Sequence, residues 1–112
     1  MAALAAGQVI LVTFPFSDLS DTKLRPALVL ADAGRGDWIL CQITSNAFAD
    51  SNAVELTTSD FQTGSLHRTS YARPSKLFTG NRSLISSQLG LLTQEALQDV
   101  LDTLIRLLGS NA

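Results

Sequence analysis

Phe14-Pro15-Phe16-Ser17-Asp18, followed by Lys23-Leu24-Arg25-Pro26-Ala27-Leu28-Val29-Leu30, is the stretch whose reading decides the architecture of this chain. It reads as one strand ending, a polar loop, and an arginine at the mouth of a second strand that is wholly apolar. Arg25 does not belong inside the buried run, because an unpaired buried charge is strongly unfavourable. Pro26 fixes its own φ and drives Arg25 toward an extended conformation, so the backbone sets the direction of the guanidinium. A cationic fork presented rigidly at a strand entrance suits a phosphate or a carboxylate. The alternative on the same residues is an arginine that ties down its own loop through Asp18 or Asp21.

Working outward, residues 9–14 are rich in β-branched side chains and alternate weakly, which predicts a strand. Residues 15–25 carry Ser17, Asp18, Ser20, Asp21 and Thr22 and read as a loop. Residues 27–31 form the second strand. Asp32-Ala33-Gly34-Arg35-Gly36-Asp37 makes a tight connection whose glycines can take positive φ. Residues 38–44 form a third strand, apolar along most of its length and therefore central. Shorter extended pieces are predicted at 53–56, 70–73 and 76–78, the first two separated by a polar stretch containing Gly64.

The period changes at the C-terminus. Thr93 is placed to cap a helix, and Glu95 in its first turn suits the helix dipole. Leu97, Val100, Leu101, Leu104, Leu107 and Leu108 recur at helical spacing up to Gly109, leaving Asp99, Asp102 and Arg106 outside the stripe. Many short strands and one terminal amphipathic helix predict a mainly β (α+β) domain: a small, strongly curved antiparallel sheet or barrel with a C-terminal helix.

The 112 residues fit one domain, 1–112, with a core of ordinary size. Residues 1–6 lack the basic region of a secretory signal and read as a frayed extension. Hydrophobic residues make up 46% of the chain, but no apolar run approaches the ~20 residues of a membrane span. Cys41 stands alone inside Trp38-Ile39-Leu40-Cys41, so an inert buried thiol and a cytoplasmic location are expected.

A formal net charge of −2 argues against a nucleic-acid binder, yet the distribution argues differently. No Asp or Glu occurs from Phe61 to Gln94, a segment that holds His67, Arg68, Arg73, Lys76 and Arg82. Acids gather between Asp32 and Asp60 and on the last helix. Such segregation either makes a local positive surface on an acidic protein or is a solvated face.

One histidine and one cysteine cannot build a zinc site. No phosphate loop, dinucleotide fingerprint or nucleophile elbow is present, and no metal or cofactor is expected. What remains is Arg25, the pair Thr44-Ser45 where a buried strand emerges, and the run Arg68-Thr69-Ser70-Tyr71-Ala72-Arg73-Pro74-Ser75-Lys76. A hydroxyl at Thr44 either ends its strand through a local backbone bond or is presented as a functional group. If the strand edges carrying Arg25, Thr44 and Arg73 converge, two guanidiniums and several hydroxyls form a pocket. Such a pocket suits a phosphodiester that develops negative charge.

These motifs resemble the MazF/PemK-like toxins of bacterial type II toxin–antitoxin systems. The resemblance is carried by Gly7-Gln8-Val9, Phe14-Pro15-Phe16-Ser17-Asp18, Lys23-Leu24-Arg25-Pro26-Ala27-Leu28-Val29-Leu30, Gln42-Ile43-Thr44-Ser45, Ser70-Tyr71-Ala72-Arg73-Pro74-Ser75-Lys76-Leu77 and the closing helix. It implies a small SH3-like β-barrel of the MazF/CcdB type, usually a homodimer, that cleaves single-stranded RNA without a metal. It further implies a cognate antitoxin, with operator DNA bound only through the antitoxin complex. The family's key arginine falls on Arg25 and its key hydroxyl on Thr44. The reaction it implies is attack by the ribose 2′-OH, leaving a 2′,3′-cyclic phosphate and a 5′-OH.

Within that reading, Lys23, Ser45, Arg68, Ser70, Arg73 and Lys76 are candidate substrate-binding residues, and Tyr71 stacks a base if exposed. Arg25 stays protonated and is a poor base, so its role is charge stabilisation. Where some relatives carry a carboxylate, this chain has Ser70, which leaves the base open; His67 is the side chain whose ordinary pKa would suit. Gln8 stands where relatives often have an acid, a change expected to affect local hydrogen bonds. Two non-catalytic readings compete: a gyrase-poison type of toxin like CcdB, and a co-repressor acting on operator DNA with its antitoxin. The aromatic-free C-terminus counts against the first, and retention of Arg25 and Thr44 against the second.

Overall fold

The computed structural model describes residues 3–15, 22–47 and 49–109. Among them lie β1 (Gln8–Pro15), β2 (Thr22–Gly34), β3 (Asp37–Thr44), β4 (Val54–Leu56), β5 (Phe61–Gly64), β6 (Ser70–Asn81), β7 (Ile85–Leu92) and α1 (Gln94–Gly109). The expectations for Phe16, Ser17, Asp18 and Asp21 fall outside the described residues. The strands make one sheet in the order β4-β6-β3-β2-β1-β7-β5, every pairing antiparallel. Register shifts in the β1–β7, β2–β3, β3–β6 and β5–β7 ladders bend the strands. The sheet curls into a half-barrel closed at one end of the chain by α1, the architecture expected from the sequence.

Both faces of the central strands are covered, which is why β2 and β3 read as apolar runs rather than alternating ones. On one face Val9, Leu28, Leu30, Cys41 and Ile43 pack with Ala96 and Val100 of α1. On the other, Ile10, Val12, Ala27, Val29, Leu40 and Ile85 pack with Trp38 and Phe78. Leu28 and Leu40 are fully buried; truncating either to alanine removes roughly 2–5 kcal/mol. Cys41 is fully buried as expected, and loss of solvation pushes its thiol up to about 12.

Several boundaries differ from the sequence reading. β2 begins at Thr22 rather than after Arg25, because residues 22–28 find ladder partners on β1 from Pro15 to Val9. The predicted pieces at 70–73 and 76–78 are one strand, β6. Pro74 is tolerated there because the register steps from Gln42↔Arg73 to Cys41↔Leu77, leaving Pro74, Ser75 and Lys76 as a bulge outside the β3 ladder. β5 and β7 carried no strong local signal. They pair because glycines allow close approach: a Cβ on Gly64 would stand 2.1 Å from the Leu89 carbonyl oxygen, and one on Gly90 2.6 Å from that of Thr63.

The N-terminal segment is held from Ala3 onward, not frayed. Leu4 packs into the second core cluster, and the Gly7 N–H donates to Val29 O at 2.9 Å. Gln8 accepts the Ala5 N–H at Oε1 and donates from Nε2 to Ala3 O, so its amide serves local hydrogen bonds. Thr93 caps α1 as predicted, its Oγ1 accepting the Ala96 N–H at 3.2 Å. Leu108 lies outside the buried stripe, 72% exposed.

Candidate functional site

The β2–β3 ladder runs Val29↔Leu40, Leu28↔Cys41, Ala27↔Gln42 and stops there. Carried two residues further, the same register sets Arg25 opposite Thr44, where the strands have splayed apart. Between them opens a cleft of about 260 Å³ lined by Leu24, Arg25, Pro26, Ile43, Thr44, Ser45, Leu66, Arg68 and Ser70. Directly opposed residues of a ladder share a face. Arg25 is paired with Val12 on its other side, so the guanidinium stands beyond the edge of the second core cluster, exposed as the sequence requires.

Arg68 reaches the cleft from the connection between β5 and β6. His67 takes φ 65 there, a left-handed turn that few side chains adopt, and its N–H is held by Ser65 Oγ at 2.9 Å. Ser70 is 4% exposed, and its hydroxyl donates to Arg68 O at 3.3 Å, bracing the backbone that presents the guanidinium. Thr44 Oγ1 donates to Asn46 O at 3.1 Å and accepts the Asn46 N–H at 3.2 Å. The local backbone bond considered for Thr44 is therefore present, and it orients a hydroxyl that also lines the cleft.

Five of the eight candidate site residues, Arg25, Thr44, Ser45, Arg68 and Ser70, meet in this cleft. Lys23 is exposed on β2 two residues beyond Arg25, on the same side of the strand. Lys76 is exposed in the β6 bulge. Arg73 shares the Thr44 face through its pairing with Gln42, but its Nε donates to Asp50 Oδ2 at 2.7 Å. The pocket of two guanidiniums is thus made with Arg68 in the place considered for Arg73. Tyr71, opposite Thr44, is half-buried. Leu24, Pro26, Ile43 and Leu66 supply the apolar part of the lining, and Leu66 carried no sequence signal of a site.

Among the described residues the lining brings two cations and three hydroxyls together with no carboxylate or imidazole. That set attracts an anion and can stabilise further negative charge on it, in a recess where water competes less than on open surface. A larger cavity of about 320 Å³ lies among Gln8, Thr63, Gly64, Gln88, Leu89, Gly90 and Leu91. It has no ionisable side chain and lacks the means for such chemistry. No group of three or more His, Cys, Asp or Glu side chains among the described residues is arranged to hold a metal ion. Nor is any described helix long and apolar enough to cross a membrane.

A family model described as PemK-like, MazF-like toxin of type II toxin–antitoxin systems matches residues 5–108. The chain belongs to this family. Solved MazF structures share its fold throughout. A MazE–MazF complex from Deinococcus radiodurans is similar at a TM-score of 0.77 and 24% identity, over 97% of this chain and 98% of that one. An endoribonuclease in complex with its cognate antitoxin from a mycobacterial species is similar at 0.71 and 19%, over 97% and 96%. The Mycobacterium tuberculosis toxin MazF-mt6 is similar at 0.66 and 13%, over 87% and 91%. Comparison with curated proteins found no match. In this MazF-like chain the Arg25–Thr44 cleft lies where the β2–β3 ladder ends, and its Ile43 and Leu66 continue into the core cluster that α1 covers.

Proposed function

We propose that this MazF-like toxin is an endoribonuclease that cleaves single-stranded RNA in the cleft between β2 and β3. The observation that carries the reading is the convergence of Arg25, Arg68 and Thr44 on one recess. RNA contains its own nucleophile, the 2′-OH adjacent to each phosphodiester. The protein's task is then to hold that phosphate in line and to neutralise the charge that builds on its oxygens.

A guanidinium pairs bidentately with non-bridging oxygens and keeps its proton throughout. Arg25 is assigned that contact, with Arg68 facing it across the cleft. The Thr44 hydroxyl, turned from Asn46 O, donates to a non-bridging oxygen while the Asn46 N–H keeps the side chain in place. The 2′-OH gives its proton to solvent water as its oxygen attacks phosphorus, and the bond to the 5′-oxygen breaks. The products are a 2′,3′-cyclic phosphate and a 5′-OH, the departing oxygen taking a proton from solvent. No metal is required by these steps. Lys23 and Lys76 are assigned to flanking phosphates.

The reading includes a homodimer restrained by a cognate antitoxin, with operator DNA bound only through that complex. Two of the similar structures are toxin–antitoxin complexes, which supports the partner. The test is incubation of antitoxin-free protein with a long single-stranded RNA in EDTA, with both cut ends mapped. Cuts at a recurring short sequence, carrying cyclic phosphate and lost in Arg25→Ala, are expected. A folded wild type that leaves the RNA intact overturns the assignment.

A further inference from the structure

β3 and β4 both run antiparallel to β6, one on each side of it, so they are parallel to one another. The chain leaves β3 at Thr44, opposite Tyr71, and must re-enter β4 at Val54, opposite Ala72. The connection from β3 to β4 therefore crosses β6, and among its described residues, 45–47 and 49–53, none belongs to a strand ladder. Asp50 fastens it. Its Oδ2 accepts from Arg73 Nε at 2.7 Å and from Ser75 Oγ at 3.5 Å, and its Oδ1 accepts the Asn52 N–H at 2.9 Å. The Asp50 N–H donates to Ala47 O and its carbonyl accepts the Ala53 N–H. The carboxylate side chain is 8% exposed and the Arg73 side chain 30%.

We infer that Asp50 is a positioning residue for the cleft, acting with Arg73 as a clamp that holds the crossover and thereby sets Thr44 and Ser45. The path from clamp to site is short. Thr44 Oγ1 is oriented through the Asn46 backbone, and Asn46 and Ala47 lead directly to the turn that Asp50 closes. Arg73 stands on β6 opposite Gln42, which precedes Thr44 by two residues on β3, so the anchor is on the neighbouring strand and on the Thr44 face. A charge-assisted bond of this length, largely shielded from water, is stronger than an exposed ion pair. The Pro74–Lys76 bulge frees Ser75 from the β3 ladder and lets it join the carboxylate.

The inference rests on the proposed ribonuclease reading for its kinetic arm and not for its structural one. It competes with the role that the sequence suggests for Arg73, a contact to RNA phosphate. The two make opposite predictions for Asp50→Asn. If Arg73 were a phosphate contact, neutralising Asp50 would release its guanidinium and lower KM. A clamp predicts that Asp50→Asn lowers kcat roughly ten- to a hundredfold with KM little changed, as misplacement of a reacting group does. Arg73→Ala should do the same, the double variant should lose no more than either single one, and Arg73→Lys should recover part of the rate.

Hydrogen exchange at the Asn46 amide, read by NMR on the same proteins, should quicken in Asp50→Asn, while amides of β2 and β3 stay protected. That arm needs no catalysis. If wild type leaves RNA intact, the ribonuclease reading fails while the exchange result still decides the clamp. Unchanged Asn46 exchange, a lowered KM in Asp50→Asn, or additive losses in the double variant would each overturn the inference.

Discussion

Arg25 and Thr44 flank one cleft, at the point where the β2–β3 ladder ends with Ala27 and Gln42. Strands that stay paired through their buried residues and part just beyond them hold both groups at a fixed separation, while leaving room between for a third party. The guanidinium and the hydroxyl are thus presented just beyond the buried stretch where β2 and β3 pair.

Arg25→Ala should reduce RNA cleavage by roughly 10²–10³-fold, the range for losing a group that stabilises transition-state charge. Because Arg25 is exposed, the unfolding midpoint in urea should move little. Arg25→Lys should remain far below wild type, since an ammonium cannot reproduce a planar fork. Single-turnover kinetics alongside urea titration checks both parts.

Thr44→Val keeps the shape of the side chain but removes both bonds to Asn46. A loss of about a hundredfold in kcat is expected, with Thr44→Ser falling by about tenfold or less. Equal rates for wild type and Thr44→Val would remove Thr44 from the chemistry.

Gly64→Ala should destabilise the whole domain. The added methyl would meet Leu89 O at 2.1 Å, and the position takes φ 72, so overpacking and a left-handed backbone act together. Their sum is about 3 kcal/mol. Thermal and urea unfolding should both report it.

Acid should weaken the fold in part through Asp50. The Arg73 side chain beside it, helped by the Asn52 N–H, holds its carboxyl below the ordinary carboxylate value. A lowered folded-state pKa means that the stabilisation is complete above the unfolded-state value and is lost as pH falls through the folded one. The gap in urea midpoint between wild type and Asp50→Asn should therefore be full at neutral pH and narrow as pH falls below the ordinary carboxylate range.

Cys41 should resist thiol reagents in the native protein. It is fully buried and its pKa is pushed up to about 12, so almost no thiolate is present near pH 8. Labelling should track global unfolding, and rapid modification without urea would contradict the core described here.

Much of this was legible along the chain because it depends on neighbours in sequence. The helix from Gln94 follows from Thr93 and the leucine spacing, and the central strands follow from continuous apolar runs. Arg25 was legible because Pro26 and the buried run after it leave a charge nowhere else to go. Less local features were not. β7 carries Ser86, Ser87 and Gly90 and becomes a strand only because β1 and β5 offer ladders on both sides. β6 continues through Pro74 only because β3 lets a bulge form.

The sequence by itself determined the family, through the motifs that carry the resemblance, and the mainly β architecture with its terminal helix and an exposed Arg25 ahead of a buried run, through local backbone preference and burial. Only the tertiary structure decided which cations share the cleft. Arg68 enters through the turn at His67, while Arg73 is held by Asp50, 23 residues away in sequence. Charge pairing of that kind depends on strand order and register, which no local pattern encodes.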